Sequence, residues 1–145
     1  MITRLLIGLM LISPLASADC AISFDNGAQL LLPVARTAAE QIRGLSLQSD
    51  PVPGLVFVWP QPDIRIVWMK NTPASLSAAW VGVDGIVQSV QDMEPETLTQ
   101  HSSLRPAVAV IEVPKGRFSQ LGIGRGSRVT AAGCIPLQAS SQPAT

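Results

Sequence analysis

Along most of this chain the apolar residues fall in short runs separated by turn residues, a pattern of strands rather than helices. Ala21 to Phe24 predicts a first strand, Asp25-Asn26-Gly27 a hairpin turn, and Gln29 to Ala35 the returning partner. Pro33 lies inside that partner and donates no ladder hydrogen bond, which predicts an edge position or a bulge. Leu55 to Trp59 is continuously apolar between Gly54 and Pro60, as suits a strand buried on both faces. Gln61-Pro62-Asp63 predicts a turn, and Ile64 to Lys70 the next strand. Alternation there puts Ile66, Trp68 and Lys70 on one face and Val67, Met69 and Asn71 on the other. Ala78 to Val83 and Ile86 to Gln91 predict a second hairpin around Asp84-Gly85, a type I′ turn signal. Asp92 to Ser103 is polar and predicts a loop. Ala107 to Val113 and Ser127 to Ile135 predict the remaining strands.

Helical signals are few. Thr37-Ala38-Ala39-Glu40 has the form of a capping box, and Gly44 is a natural stop, so this helix has only about two turns. Arg117 to Leu121 predicts a single helical turn before Gly122. Together the elements predict a mainly β single domain. It is a sandwich or open barrel of about eight short strands with one or two short helices. A βαβ layer is the competitor, but helices this few and short cannot cover a parallel sheet.

Composition narrows the picture further. A length of 145 residues suits one domain, and 47% apolar against 14% charged residues gives ample material for a core. The formal net charge is zero, and no basic stripe runs along any element, which argues against a nucleic-acid partner. At the N-terminus Arg4 precedes an apolar run from Leu5 to Ile12, Pro14 breaks it, and Ala16-Ser17-Ala18 has the small-x-small form of a cleavage site. We read residues 1–18 as a signal peptide, Asp19 as the mature N-terminus, 19–137 as the domain and 138–145 as a flexible tail. The run is too short to serve as a stable membrane anchor, so no transmembrane segment is expected after cleavage. A lipoprotein is the alternative, because Cys20 lies close by, but Asp19 intervenes where a small residue would be required.

Export to the periplasm or beyond the cell gives the two cysteines meaning. In an oxidising compartment Cys20 and Cys134 are a disulfide candidate that would tie the first strand to the last; two buried free thiols are the alternative. No CxxC pair and no Cys/His cluster occurs, so thiol redox catalysis and structural zinc both lack their residues. Neither a metal nor a cofactor is implied.

The most chemically mixed stretch is Val67-Trp68-Met69-Lys70-Asn71-Thr72, which stops at Pro73. In a structural reading Trp68 fills core, Lys70 reaches to the rim and Asn71 fixes a turn. In a functional reading the run is a cleft with an aromatic platform, a cation and an amide for a polar or anionic ligand. Glu112 interrupts the apolar run Val110-Ile111-Glu112-Val113, and a carboxylate there wants a partner, for which Lys70 and Arg43 are the candidates. His101 is alone in a polar stretch and has no evident orienting carboxylate, so it is read as exposed. Gly122-Ile123-Gly124-Arg125-Gly126 lacks the preceding strand and following long helix of a phosphate cradle and reads as a tight turn.

Several of these motifs occur together in one known pattern. Thr37-x-x-Glu40-x-x-x-Gly44-Leu45, Gly54-Leu55-Val56-Phe57 and Trp68-Met69-Lys70-Asn71-Thr72 resemble the family called domain of unknown function 192. Asp84-Gly85, Pro95, Glu112, Gly116, Gly122-Ile123 and Gly126 continue the likeness, which covers roughly Leu31 to Ala132. The resemblance implies a compact, mainly β, often exported domain and no particular reaction. Three departures stand out. Ser46 replaces a methionine after Gly-Leu, and Ser77 and Ser127 stand where the family carries aspartates. If those aspartates only cap turns, serine replaces them at small cost.

The reading that follows is an exported β domain binding a small polar or anionic ligand, or a cell-envelope partner. Its groove is floored by Trp68, Lys70 and Asn71 and lined by Arg43 and Glu112. Two alternatives remain open. One is a hydrolase or lyase acting on an envelope polysaccharide, for which paired carboxylates are the expected machinery. The other is a structural interaction module, marked by an apolar patch around Trp59 and Trp80.

Overall fold

The structure, a computed structural model, describes residues 18–139; nearly all of the predicted signal peptide and most of the predicted tail lie outside them. The described chain runs β1 (Cys20–Phe24), β2 (Gln29–Leu32), β3 (Val34–Ala35), α1 (Ala38–Arg43), β4 (Leu55–Asp63) and β5 (Ile66–Val67). It continues β6 (Leu76–Val81), β7 (Val87–Met93), β8 (His101–Ser102), β9 (Ala107–Pro114), α2 (Arg117–Gln120) and β10 (Val129–Ala132). Three sheets result, ordered β10-β1-β2, β3-β4-β9-β6-β7 and β5-β8. All their pairings are antiparallel except β3 with β4, which is parallel.

The mainly β expectation holds, with two more strands than the pattern alone resolves. Both extra strands have a physical cause. Pro33 splits the predicted Gln29–Ala35 strand: β2 ends one sheet, β3 edges another, and the chain crosses between them at the proline. The Pro33 carbonyl accepts from the Val56 amide at 3.0 Å, so the crossing is pinned to β4. The second extra strand is β8, two residues within the stretch read as a loop, which pairs with β5. Pro60 does not end β4; the strand bulges between Val58 and Asp63 and resumes its pairing at Ala107.

Both predicted hairpins form, but neither turn is type I′. Only Gly27 and Gly85 take positive φ, +85° and +77°, while Asn26 and Asp84 do not. The amides of Phe24 and Gly82 donate to Ala28 and Ile86, leaving three-residue loops that end in a left-handed glycine. At Gly85 a Cβ would also press against the Val129 carbonyl.

The core has two parts, one on each face of the five-stranded sheet. Val56, Val58, Ala79, Val81, Ala109, Ile111 and Val113 turn one way, toward Ile22, Phe24, Leu30, Leu32 and Val129 of the three-stranded sheet. Cys20 and Cys134 close that layer with a disulfide across a sequence separation of 114. Phe57, Ala78, Trp80 and Val110 turn the other way, where Val67, Met69, Leu45 and Ala74 cover them. Trp80 is fully buried, and its indole N–H donates to the Arg65 carbonyl at 3.1 Å, so no apolar surface patch forms around it. No helix among the described residues is long and apolar enough to cross a membrane.

Candidate functional site

Helix α1 edges the second face of the sheet. It starts where predicted: the Thr37 hydroxyl accepts from the Glu40 amide at 3.2 Å, and the Glu40 carboxylate accepts from Thr37 N–H at 2.9 Å. These backbone donors, with Arg36 N–H at 2.8 Å, hold the Glu40 carboxyl below the usual range. The Gln41 amide donates to the Val58 carbonyl at 2.9 Å and to Ala35 at 3.3 Å, fastening the helix to β4 and β3. Arg43 closes the last turn, beside Gly44.

The Trp-Met-Lys-Asn-Thr run forms the opposite wall. The predicted strand pairs only at Ile66 and Val67, yet its alternation persists: Val67 and Met69 are buried while Ile66, Trp68 and Lys70 are exposed. Past Met69 the chain turns. Asn71 takes φ +54°, which asparagine tolerates better than most residues. The Thr72 amide donates to Met69 at 3.1 Å, and Asn71 accepts from the Leu47 amide at 2.7 Å. Met69 and Glu96 amides reach Thr97 and Thr72, binding the turn to the following loop. Asn71 therefore has the turn-forming role of the structural reading. Trp68 does not: it is 50% exposed, and Met69, fully buried, fills the core in its place. The Lys70 ammonium sits 5.5 Å from the Trp68 ring centroid, a cation–π contact at the rim.

Between these walls lies a cleft of about 480 Å³. Arg43, Trp68, Lys70, Asn71 and Glu112 all line it, so the structure brings the five predicted residues into one place. The lining mixes exposed residues, among them Arg43, Trp68, Lys70 and Asn71, with buried ones, among them Phe57, Met69, Leu76 and Glu112.

Glu112 is set by strand register. It pairs with Leu55 of β4 and Ala78 of β6 and shares their face with Phe57, Trp80 and Val110. Gly54 (φ +124°) lets the chain pass directly against the Glu112 backbone, where a Cβ would collide with the Glu112 carbonyl oxygen. Only 4% exposed, Glu112 is the single buried charged residue among the described residues.

The predicted ion pair does not form. Among the described residues the only salt bridge joins Lys115 and Glu94 at 3.4 Å on the surface, and neither Lys70 nor Arg43 comes within 4.0 Å of Glu112. No described side chain or backbone donor hydrogen-bonds the Glu112 carboxyl either. Neither cation can offset its burial, which pushes its pKa up from 4.5 to about 8. The cleft lining therefore combines an acid that burial pushes toward its neutral form with the basic side chains of Arg43 and Lys70.

Sequence reasoning missed the aromatic wall. Phe57 and Trp59 stack with centroids 6.2 Å apart, and both line the cleft. The Arg65 guanidinium covers the Trp59 ring at 4.4 Å. Alternation along Leu55 to Trp59 is the signal that would have placed both rings on the Glu112 face. His101 lies outside the cleft and is not exposed: it is half-buried in β8, with Nδ1 3.2 Å from the Gln91 amide oxygen. Ser77 and Ser127 also lie outside the cleft and have local roles. Ser77 donates to Asp92 at 2.6 Å, and Ser127 accepts from the Gly124 amide at 3.0 Å, as a turn-capping aspartate would.

Comparison with known proteins adds kinship. The model of the domain of unknown function 192 family, described as an uncharacterized ACR, matches residues 21–131. A protein of unknown function from Novosphingobium aromaticivorans DSM 12444 superposes with a TM-score of 0.69 at 27% identity, over 83% of this chain and 91% of that one. A Sinorhizobium meliloti 1021 protein, provisionally described as a transcription regulator, superposes with a TM-score of 0.68 at 23% identity. That match covers 76% of this chain and 89% of the other, and it bears on the fold alone. No curated protein matches the chain.

Proposed function

Taking as premise that the chain belongs to the domain of unknown function 192 family, we propose that it is an exported domain whose Trp68–Glu112 cleft binds a small polar or anionic ligand. One observation carries the reading: a buried carboxyl without a partner among the described residues lines the same cleft as Arg43 and Lys70. The Glu112 carboxyl has no hydrogen-bond partner among the described residues and opens onto the cleft, where a ligand can meet it. The cleft volume lies within the range that small-molecule sites occupy. With Glu112 neutral, the charged lining is two cations, which favours an anion.

Export is supported by the Cys20–Cys134 disulfide, which belongs to an oxidising compartment, and by the leader-like residues 1–18. The mature protein is then periplasmic or secreted. The polysaccharide hydrolase reading finds less support, because the cleft offers one carboxyl where glycosidases mostly use two.

The test is amide and indole NMR during titration with phenyl phosphate, benzoate and a neutral disaccharide. An anion should shift the Trp68 indole and the Lys70 and Asn71 amides, and the Arg43→Ala/Lys70→Ala double variant should lose that response. Shifts spread over the surface, or unchanged in the double variant, would end the proposal.

A further inference from the structure

Resting on that reading of the cleft, we infer that its ligand is a small monocarboxylate with an apolar body, held by a hydrogen bond to the Glu112 carboxyl. The geometry argues for each part. Glu112 is 4% exposed, unpaired, and fixed by β4 and β6 on either side. A carboxyl so placed keeps its proton, because no neighbour compensates an ionised form. It then presents one O–H donor toward the cleft, a group that an anionic oxygen accepts strongly.

The other titratable groups around Glu112 do not alter this. Helix α1 contributes Arg43, while Glu40 accepts from its own cap. The Trp68–Thr72 run contributes Lys70. No other titratable side chain lines the cleft; Asp63 of β4 and His101 of β8 lie outside it. Asp92 of β7 binds Ser77, which alternates to the other face of β6.

Charge and surface then select the ligand. A cation meets Arg43 and Lys70 and finds no ionised acid. A dianion must shed far more hydration to enter a cleft walled by Phe57, Trp59, Trp68, Ile42 and Ile66. A monocarboxylate brings one charge for the two cations and one acceptor for the Glu112 proton. Its apolar body lies against the aromatic wall, which buries surface that would otherwise stay wet.

The experiment measures binding of benzoate, benzyl alcohol, benzylamine and phenyl phosphate to the oxidised protein at pH 6 and pH 9, using tryptophan fluorescence. Benzoate, ionised throughout, should bind best at pH 6 and about tenfold more weakly at pH 9, where about a tenth of the Glu112 carboxyls keep their proton. Glu112→Gln keeps a neutral donor and should bind benzoate alike at both pH values. Should that variant fail to fold, infrared difference spectra of the unmutated protein give the same answer. The protonated-carboxyl C=O band must shift when benzoate is added at pH 6. The inference is overturned if the pH profile is the same in Glu112→Gln, if the band stays still, or if benzylamine competes. Binding of phenyl phosphate with benzoate silent overturns the inference while leaving the anion cleft. Silence from every probe overturns both.

Discussion

Glu112 should make the stability of the protein fall as pH rises, and Glu112→Gln should remove that dependence. The carboxyl titrates near 8 in the folded chain and near 4.5 when solvated. Between those values the folded state holds a proton that the unfolded state has released, so stability falls by about 1.4 kcal/mol per pH unit. The full contribution is present below pH 4.5, is lost progressively up to pH 8, and changes little beyond. From pH 5 to pH 9 the loss amounts to about 4 kcal/mol, a large part of a typical domain's stability. Guanidinium unfolding of both proteins at pH steps across this range measures it, with the disulfide intact. Other titrating groups, such as Glu40 with its lowered pKa, act equally on both proteins and cancel in the difference. The expected result is a difference that moves by about 4 kcal/mol in favour of the variant as pH rises. A difference constant within about 1 kcal/mol would mean that Glu112 is ionised in the fold, or solvated, and the buried-acid picture would be wrong.

Four further outcomes follow. Glu112→Leu should raise stability at pH 8 by about 2 kcal/mol while weakening benzoate binding, because an apolar side chain relieves the unpaired carboxyl and cannot donate to the ligand; a lower unfolding midpoint would contradict this. Gly54→Ala should lower stability by more than about 2 kcal/mol, since the new Cβ meets the Glu112 backbone at a φ that alanine rarely adopts; an unchanged midpoint would refute the close approach. Denatured, unreduced protein should label at neither cysteine, and reduction should cost up to roughly 5 kcal/mol in thermal or denaturant unfolding. Mass spectrometry of exported protein should find Asp19 as the first residue; a mass that retains residues 1–18 would refute cleavage.

What was legible in the sequence divides by the range of the forces involved. Local chemistry read true: the Thr37–Glu40 box caps α1, Gly44 ends it, and the two Gly-containing turns close hairpins. The alternation from Ile66 to Lys70 also survives, although the residues after Val67 leave the ladder. Its meaning was harder to see. Periodicity gives two faces without saying which one meets the core, and size suggests Trp68 over Met69. The fold buries Met69 in the second core layer and leaves Trp68 on the rim. The turn types differ from the sequence expectation for a similar reason: Asn-Gly permits two positive φ angles, but the strand register needs only the glycine to adopt one. Strand β8 was hidden because a two-residue pairing has no periodicity to detect.

The candidate site was legible in its members and not in its energetics. Glu112 stood out as a charge in an apolar strand, and a partner was inferred because an isolated buried carboxylate is untenable. The fold leaves the acid unpaired, and burial pushes it toward its protonated form instead. That choice follows from distances that no sequence pattern encodes: Arg43 and Lys70 face the same cleft but stop more than 4.0 Å short of Glu112. Had either closed the gap, the cleft would hold a neutral pair and one free cation, and Glu112 would be a structural residue with its pKa drawn down. Left apart, the three groups keep separate capacities, one proton donor below and two charges above. The cross-strand neighbours of Glu112, Leu55 and Ala78, are apolar, so the sheet itself offers the acid no side-chain partner. The acid has no partner among the described residues, and the cleft is where a ligand can supply one.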